Sequence, residues 1–335
     1  MKKILLTGGT GYIGSHVCIE LIKKGYEVII IDNLCNSSIK VLERIKKITG
    51  FKPAFYEKDT RDKSALLEIF NKYSIDSVIH FAGLKSLKES VEMPITYYDN
   101  NLIGTINLLV IMAQVNCKSI VFSSSATVYG KTQNVPIKEN YPLSVSNPYG
   151  QSKSLIERLL QDLYISDNKW NIAILRYFNP AGAHESGLIG ESPIGIPNNL
   201  FPYISKVANG KLAKLTIFGN DYNTHDGTGV RDYIHVVDLA KGHLKALEVM
   251  KSDSKVLVVN LGTGKGYSVL DVVRGFESAS NQTIPYEFVA RREGDVSECY
   301  ADPSLAFKLL NWKAEYKLAR ICQDAWNWEK VSPDG

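Results

Sequence analysis

The sequence predicts an α/β fold, a doubly wound parallel sheet followed by a second, smaller α/β domain. Three observations carry this. Short apolar runs alternate with longer amphipathic ones through the first half, a glycine-rich turn follows the first run, and the regularity falls away after about residue 178. The runs at 4–6, 28–31, 54–56, 78–81, 120–122 and 172–175 are rich in β-branched residues and apolar on both faces. Such strands belong in a parallel sheet covered on both sides. Between them, 13–24, 41–48, 63–73, 102–115 and 153–163 have helical spacing, and strand–helix alternation places the ligand crevice at the carboxyl ends of the strands. Residues 179–195 carry Gly182, Gly187, Gly190 and Gly195 with Pro180 and Pro193 and read as loop. Further strands are expected at 215–218, 256–260 and 286–288, and helices at 200–208, 237–249, 269–278 and 303–310. The domains are therefore set at 1–179 and 180–335, with 237–260 crossing back to finish the sheet.

Composition narrows the function. The chain of 335 residues is enough for about two domains of roughly 100–200 residues each. A hydrophobic fraction of 44% against 22% charged is that of a globular protein, and 39 basic against 35 acidic residues, spread without a basic run, gives no reason to expect nucleic acid or a membrane surface as partner. No apolar stretch reaches the 18 or so residues a membrane span needs. The five cysteines, Cys18, Cys35, Cys117, Cys299 and Cys322, form no CxxC pair. A reduced, cytoplasmic setting is the economical reading. The six histidines show no metal-ligand spacing, so no metal is expected.

The run Thr7-Gly8-Gly9-Thr10-Gly11-Tyr12-Ile13-Gly14 joins the first strand to the first helix. Gly8, Gly11 and Gly14 allow a tight turn, a close approach of backbone to a pyrophosphate, and close helix–strand packing. The helix amino terminus then offers N–H groups to phosphate. In this strand–turn–helix context the motif predicts a Rossmann-like dinucleotide site. Asp32 ends the second strand, 18 residues past Gly14. A carboxylate there accepts both ribose hydroxyls and repels a 2′-phosphate, so the cofactor is NAD. Asp59, past the third strand, is placed to contact adenine.

Tyr149 and Lys153 lie four residues apart behind Pro148, a helix-starting residue, and therefore stack on one helical face. Ser123-Ser124-Ser125 sits at the carboxyl end of the fifth strand, where such sheets gather their chemistry. A phenol of pKa about 10 is a poor base at neutral pH, but a Lys ammonium and an oxidised nicotinamide both favour the phenolate. A drop of roughly three units corresponds to about 4 kcal/mol. Tyr149 is then expected to take a proton from a substrate hydroxyl as hydride leaves the same carbon, with Ser124 hydrogen-bonding that oxygen and relaying the proton.

TGGTGYIG at 7–14, SSSATVYG at 123–130, YGQSK at 149–153 and RYFNPAGAH at 176–184 together resemble the extended short-chain dehydrogenase/reductase family. IPNNLFPYI (196–204), FGNDY (218–222), DGTGVRDYIHV (226–236) and RREGD (291–295) extend the likeness end to end and narrow it to the UDP-hexose 4-epimerases of that family. The resemblance implies a tightly held NAD, reduced and reoxidised in each turnover. It also implies a 4-keto sugar that turns about its link to UDP before hydride returns on the other face. Carried over by position, Tyr12, Ile13, Asn33, Thr60, Phe81, Ala82, Gly83, Lys85, Asn100, Ser123, Tyr177 and Phe178 join the cofactor pocket. Asn179, Asn199, Leu200, Ile217, Phe218, Arg231, Tyr233, Arg292, Asp295, Cys299 and Ser124 go to the UDP-sugar, with Lys85, Tyr149 and Phe178 serving both ligands. Arg231 and Arg292 are forked donors suited to a diphosphate. The family also suggests a homodimer through helices of the first domain.

Relatives that dehydrate the sugar carry an Asp-Glu pair just after the hydroxyl residue of the fifth strand; here those positions are Ser125-Ala126. Without proton carriers for elimination, 4-epimerisation of UDP-glucose and UDP-galactose remains, ahead of a pentose or uronate epimerase, a dehydratase, or a dinucleotide sensor without turnover. Some family members restricted to plain hexoses have tyrosine at position 299, where this chain has Cys299. The smaller side chain leaves room beside C2, so activity on the 2-acetamido pair, UDP-GlcNAc and UDP-GalNAc, is expected as well.

Overall fold

The computed structural model describes residues 1–131, 134–250, 255–292 and 294–332; Glu293, inside the RREGD run, lies outside them. The chain forms two compact units.

The first unit comprises Met1–Gly130, Pro142–Arg176 and Ala240–Val259. Among the described residues its sheet has seven strands, in the spatial order Val256–Leu261, Asn171–Tyr177, Ser119–Ser125, Ser77–His80, Lys3–Thr7, Glu27–Asp32, Ala54–Glu57. Lys3–Thr7 pairs in parallel on both sides, Leu6 opposite Ile30 and Ile79. Chain order reverses between Lys3–Thr7 and Ser77–His80, so the loops leaving these two strands diverge and open a crevice. The expected apolar runs are all strands, covered on both faces except in the half-buried edge strand Ala54–Glu57. Leu5, Ile29, Ile31, Val78, Ile120 and Phe122 are buried against Leu66 and Ile69, Leu108 and Met112, and Ile156 and Leu160 from the helices Lys63–Lys72, Gly104–Gln114 and Pro148–Ser166. Each such side chain contributes about 1.5–3 kcal/mol by burial. Before Gly104–Gln114 stand features that periodicity did not predict, the short helices Leu87–Glu92 and Pro94–Tyr97 and the π-helical turn Tyr98–Ile103. Their cause is local: Ser86 caps the first by accepting from Glu89 N, and Pro94 starts the second.

The second unit comprises Lys131–Tyr141, Tyr177–Leu239 and Asn260–Gly335. Phe201, Ile204, Leu215, Ile217, Val272, Phe276 and Ile321 form its core. Leu215–Phe218 pairs in parallel with Tyr286–Val289, Asn179–Ala181 with Tyr233–His235, and Val230–Arg231 lies between Tyr267–Ser268 and Glu298–Cys299. Lys131–Tyr141 joins this unit although it precedes residue 179. Ile137 is buried, donates to the Tyr300 carbonyl, and accepts from Asp302 N and Asn260 Nδ2. Among the described residues six elements of this unit went unpredicted: the strands Val230–Arg231, Tyr233–His235, Tyr267–Ser268 and Glu298–Cys299 are too short to show a period, and two more have causes of their own. The strand Asn179–Ala181 sits in the expected loop because Asn179 N finds the Asp232 carbonyl at 2.9 Å. The helix Leu318–Val331 buries Ile321, Cys322, Ala325 and Trp328, a helical stripe diluted by the charged residues between them.

Candidate active site

In the first unit the glycine turn makes a cradle that side chains would fill. Gly8 is left-handed (φ +70°), and a Cβ there would lie 2.8 Å from Ala82 N; a Cβ at Gly14 would lie 2.3 Å from the Gly8 carbonyl. Gly11 is the N-cap of Tyr12–Lys23 and has no side chain to satisfy the first-turn N–H groups, which are left for a ligand. This geometry fits a dinucleotide pyrophosphate. Asp32 is buried and braces the same turn, accepting from Thr10 N at 3.1 Å and from Ser37 Oγ and Leu34 N at 3.0 Å each. The last bond holds Leu34 in the left-handed region at φ 59°, a conformation that costs a non-glycine residue about 1–2 kcal/mol. Asn33 donates to Asp59 at 2.8 Å, and the Arg61 guanidinium grips both Asp59 oxygens, holding that carboxyl down at about 2. Phe81 and Ala82 are fixed by N–H bonds to the Thr7 carbonyl. Thr60 is buried at the mouth of the third strand and Lys85 is exposed. Asn100 is half-buried on the π-helical turn. Its neighbour Asn101, absent from the expected set, is the buried one, bonding Leu84 N, the Leu84 carbonyl and Ser152 Oγ.

Asn147 caps the helix Pro148–Ser166 by accepting from Gly150 N at 2.8 Å, with Pro148 in the first turn. Tyr149 and Lys153 consequently share a face, Lys153 Nζ lying 5.9 Å from the Tyr149 ring centroid. Lys153 is buried, donates to the Ser123 carbonyl at 2.7 Å, and sits 4.9 Å over the Phe122 ring. Burial pulls its pKa down to about 8, with Glu157 pulling the other way. His80, bonded to Thr7 at 2.6 Å and Thr105 at 2.8 Å, is held neutral at about 3 by burial and by the Lys153 charge, and its role is to tie strand ends to a helix.

Two expectations change here. Burial pushes the Tyr149 phenol up, against a hydrogen bond from Ser125 and the charge of Lys85; the residues alone do not make it acidic, because desolvation outweighs both. And the hydroxyl that reaches Tyr149 belongs to Ser125, whereas Ser124 is 1% exposed and donates to Glu157 Oε1 at 2.5 Å. Three adjacent serines look alike in the sequence, and the register of strand against helix separates them. Glu157 in turn is held by Arg176 through both its Nε and Nη2, and Arg176 donates to the Tyr129 hydroxyl at 2.9 Å.

In the second unit a basic cluster assembles around Asp295. Arg292 Nε meets Asp295 Oδ2 at 2.9 Å and Arg231 Nη2 meets Oδ1 at 3.7 Å. The Arg292 guanidinium lies 4.9 Å over the Phe218 ring. The strand Leu215–Phe218 turns Ile217 into the core, so Phe218, 40% exposed, is the side chain it offers to a ligand. Tyr233 is buried against Phe201, and burial pushes its phenol up to about 12. Cys299 pairs with Arg231 in register, half-buried, its thiol pushed up to about 11 by burial. Asn199 stands before the helix Leu200–Ala208 and donates to Glu191 at 2.7 Å; Asn179 opens its strand, and Tyr177 and Phe178 are buried just before it. Among the described residues His225, Asp226 and Asp271 bring three ligand atoms within 4.8 Å of one another; Arg274 donates to both half-buried carboxylates, making the group an ion-pair network.

A doubly wound sheet whose glycine cradle shares a unit with a Tyr–Lys pair defines a short-chain dehydrogenase/reductase of the extended type. The family model for GDP-mannose 4,6 dehydratase matches residues 5–325, and the chain belongs to that family of nucleotide-sugar enzymes. Within it, relatives that match over nearly the whole chain include UDP-glucose 4-epimerases. That of Haemophilus influenzae is 58% identical over 333 residues, 99% of this chain and 98% of that protein. Among solved structures, the UDP-glucose 4-epimerase of Bifidobacterium longum in complex with NAD+ and UDP is 51% identical, with full coverage of both chains and a TM-score of 0.96. That of Stenotrophomonas maltophila, with bound NAD and formylated UDP-arabinopyranose, is 47% identical, covers 99% of this chain and 98% of its own, and has a TM-score of 0.97.

Proposed function

We propose that this chain is an NAD-dependent 4-epimerase that interconverts UDP-glucose and UDP-galactose. The observation that carries the reading is the placement of Tyr149, Lys153 and Ser125 on one helix face and its facing strand end, in the unit that also holds the glycine cradle. NAD, when bound, accepts the hydride from C4 of the sugar and returns it to the other face of the 4-ketone. The chain's own part is to move the O4 proton and hold the nucleotide. Tyr149 takes the proton as the ketone forms and gives it back as the alcohol is restored; Lys153 supplies positive charge beside it, and Ser125 supports the phenolate by a hydrogen bond. Arg231 and Arg292 hold the diphosphate, with Asp295 orienting both guanidiniums, while the 4-keto hexose turns. Elimination of water needs a further acid and base, and with the hydroxyl assigned to Ser125 the residues in their places are Ala126 and Thr127, which carry no carboxylate.

Cys299, in register with Arg231, supports acceptance of a 2-acetamido group and hence of UDP-GlcNAc and UDP-GalNAc. Exposed Ile103, Val110, Leu155 and Ile165, on or beside the helices Gly104–Gln114 and Pro148–Ser166, support a homodimer formed through them. The five free cysteines support a cytoplasmic location. Among the described residues no helix is long and apolar enough to cross a membrane.

The test is to give the purified protein UDP-galactose without added reductant and to analyse the products. UDP-glucose at equilibrium with its substrate is the expected result. A 4-keto-6-deoxy product, or none, would overturn the assignment.

A further inference from the structure

The end of the strand Ser119–Ser125 and one face of the helix Pro148–Ser166 are joined by three consecutive contacts. The Ser123 carbonyl accepts from Lys153, the Ser124 hydroxyl donates to Glu157, and the Ser125 hydroxyl is the one that acts to lower the Tyr149 phenol. On the helix these partners are residues 149, 153 and 157, spaced by four and therefore stacked along one side. The outer two contacts involve the groups assigned to the reaction. The middle one involves a carboxylate with no role in it, although Glu157 is 1% exposed and a charge so placed must be paired.

We propose that Glu157 is a positioning residue: anchored by Arg176, it clamps Ser124 to the helix and thereby sets the distance at which the flanking residues meet Tyr149 and Lys153. The anchoring is rigid. Arg176 reaches Glu157 at 3.1 Å (Nε to Oε1) and 2.7 Å (Nη2 to Oε2), and its remaining arm is fixed on Tyr129, itself 1% exposed. A guanidinium–carboxylate fork has a defined plane and distance, unlike a single bond between flexible groups. Strand and helix are thus held by a pair that takes no part in the proton transfer assigned to Tyr149. Sliding the strand end by about 1 Å would misplace Ser125 and the Ser123 carbonyl together, and a displacement of that size costs on the order of a hundredfold in rate.

The proposal rests on the epimerase reading, and its test separates the two. Turnover of UDP-galactose is measured for wild type, Ser124→Ala, Glu157→Gln and the double variant, each with its NAD content and melting temperature. Clamping predicts that each single variant loses about ten- to a hundredfold in kcat, with KM for UDP-galactose within about twofold because UDP is held in the second unit. It also predicts that the double variant is no slower than the worse single one. Should Glu157→Gln fail to fold, Ser124→Ala decides by itself, since it leaves the Glu157–Arg176 pair intact. A single variant that melts lower yet keeps wild-type kcat would reduce the contact to a stabilising one and overturn the proposal. So would losses that multiply in the double variant, which would mean that Glu157 acts by another route. Wild-type protein that left UDP-galactose untouched would instead remove the epimerase reading, and the positioning role with it.

Discussion

Replacing Ser125 by alanine isolates the reassigned hydroxyl. The substitution removes the hydroxyl that acts to lower the Tyr149 phenol, together with the half-buried 3.2 Å capping bond that Ser125 Oγ accepts from Thr127 N. A hydrogen bond to a charged group is worth about 1.5–3 kcal/mol. If it is made to the phenolate and lost in the phenol, the barrier rises by that amount, and kcat falls roughly ten- to a hundred-and-fiftyfold at about 1.36 kcal/mol per decade. The same energy appears in titration. The bond favours the ionised form, so losing it raises the Tyr149 pKa, by about one to two units at 1.36 kcal/mol each. With the ionised phenol as the proposed base, the acidic limb of the kcat profile is expected to move to higher pH. The assay is UDP-glucose formation from saturating UDP-galactose across about pH 5.5 to 9.5. Ser125→Ala with wild-type kcat and an unmoved acidic limb would refute the assignment of the hydroxyl to Ser125.

Three further outcomes are expected. Tyr149→Phe keeps its helix and should retain bound NAD, measured by absorbance after denaturation, while losing at least a thousandfold in kcat; a smaller loss would take Tyr149 out of proton transfer. Lys153, pulled down to about 8 by burial, carries its charge only below that pH, so kcat should decline as pH rises through the alkaline limb, and Lys153→Met, already slow, should show no such limb. Cys299→Tyr should lower kcat/KM for UDP-GlcNAc by more than tenfold and leave UDP-galactose within about threefold, as steric exclusion exceeds the roughly 1–3 kcal/mol of a methylene's fit; undiminished turnover of the N-acetyl sugar would show that position 299 does not limit the pocket.

What could be read without coordinates was whatever depends on neighbours along the chain. The turn from Gly8 to Gly14 needs glycine because backbone passes within 3 Å of where side chains would be, and that spacing is written locally. Tyr149 and Lys153 share a face because four residues make about one turn. The parallel sheet followed from strands apolar on both faces, since nothing else buries them.

Other features arise from contacts between distant segments, for which the sequence holds no ruler. Ser123, Ser124 and Ser125 are identical residues, and only the register between the strand Ser119–Ser125 and the helix Pro148–Ser166 assigns one to Lys153, one to Glu157 and one to Tyr149. Lys131–Tyr141 joins the second unit through backbone bonds to Tyr300 and Asp302, more than 160 positions away. The Tyr149 phenol is raised because the folded surroundings exclude water, a property of the packed site with no counterpart in the order of residues. Local spacing determined which chemistry the chain could carry; three-dimensional packing decided which atoms are brought together to carry it.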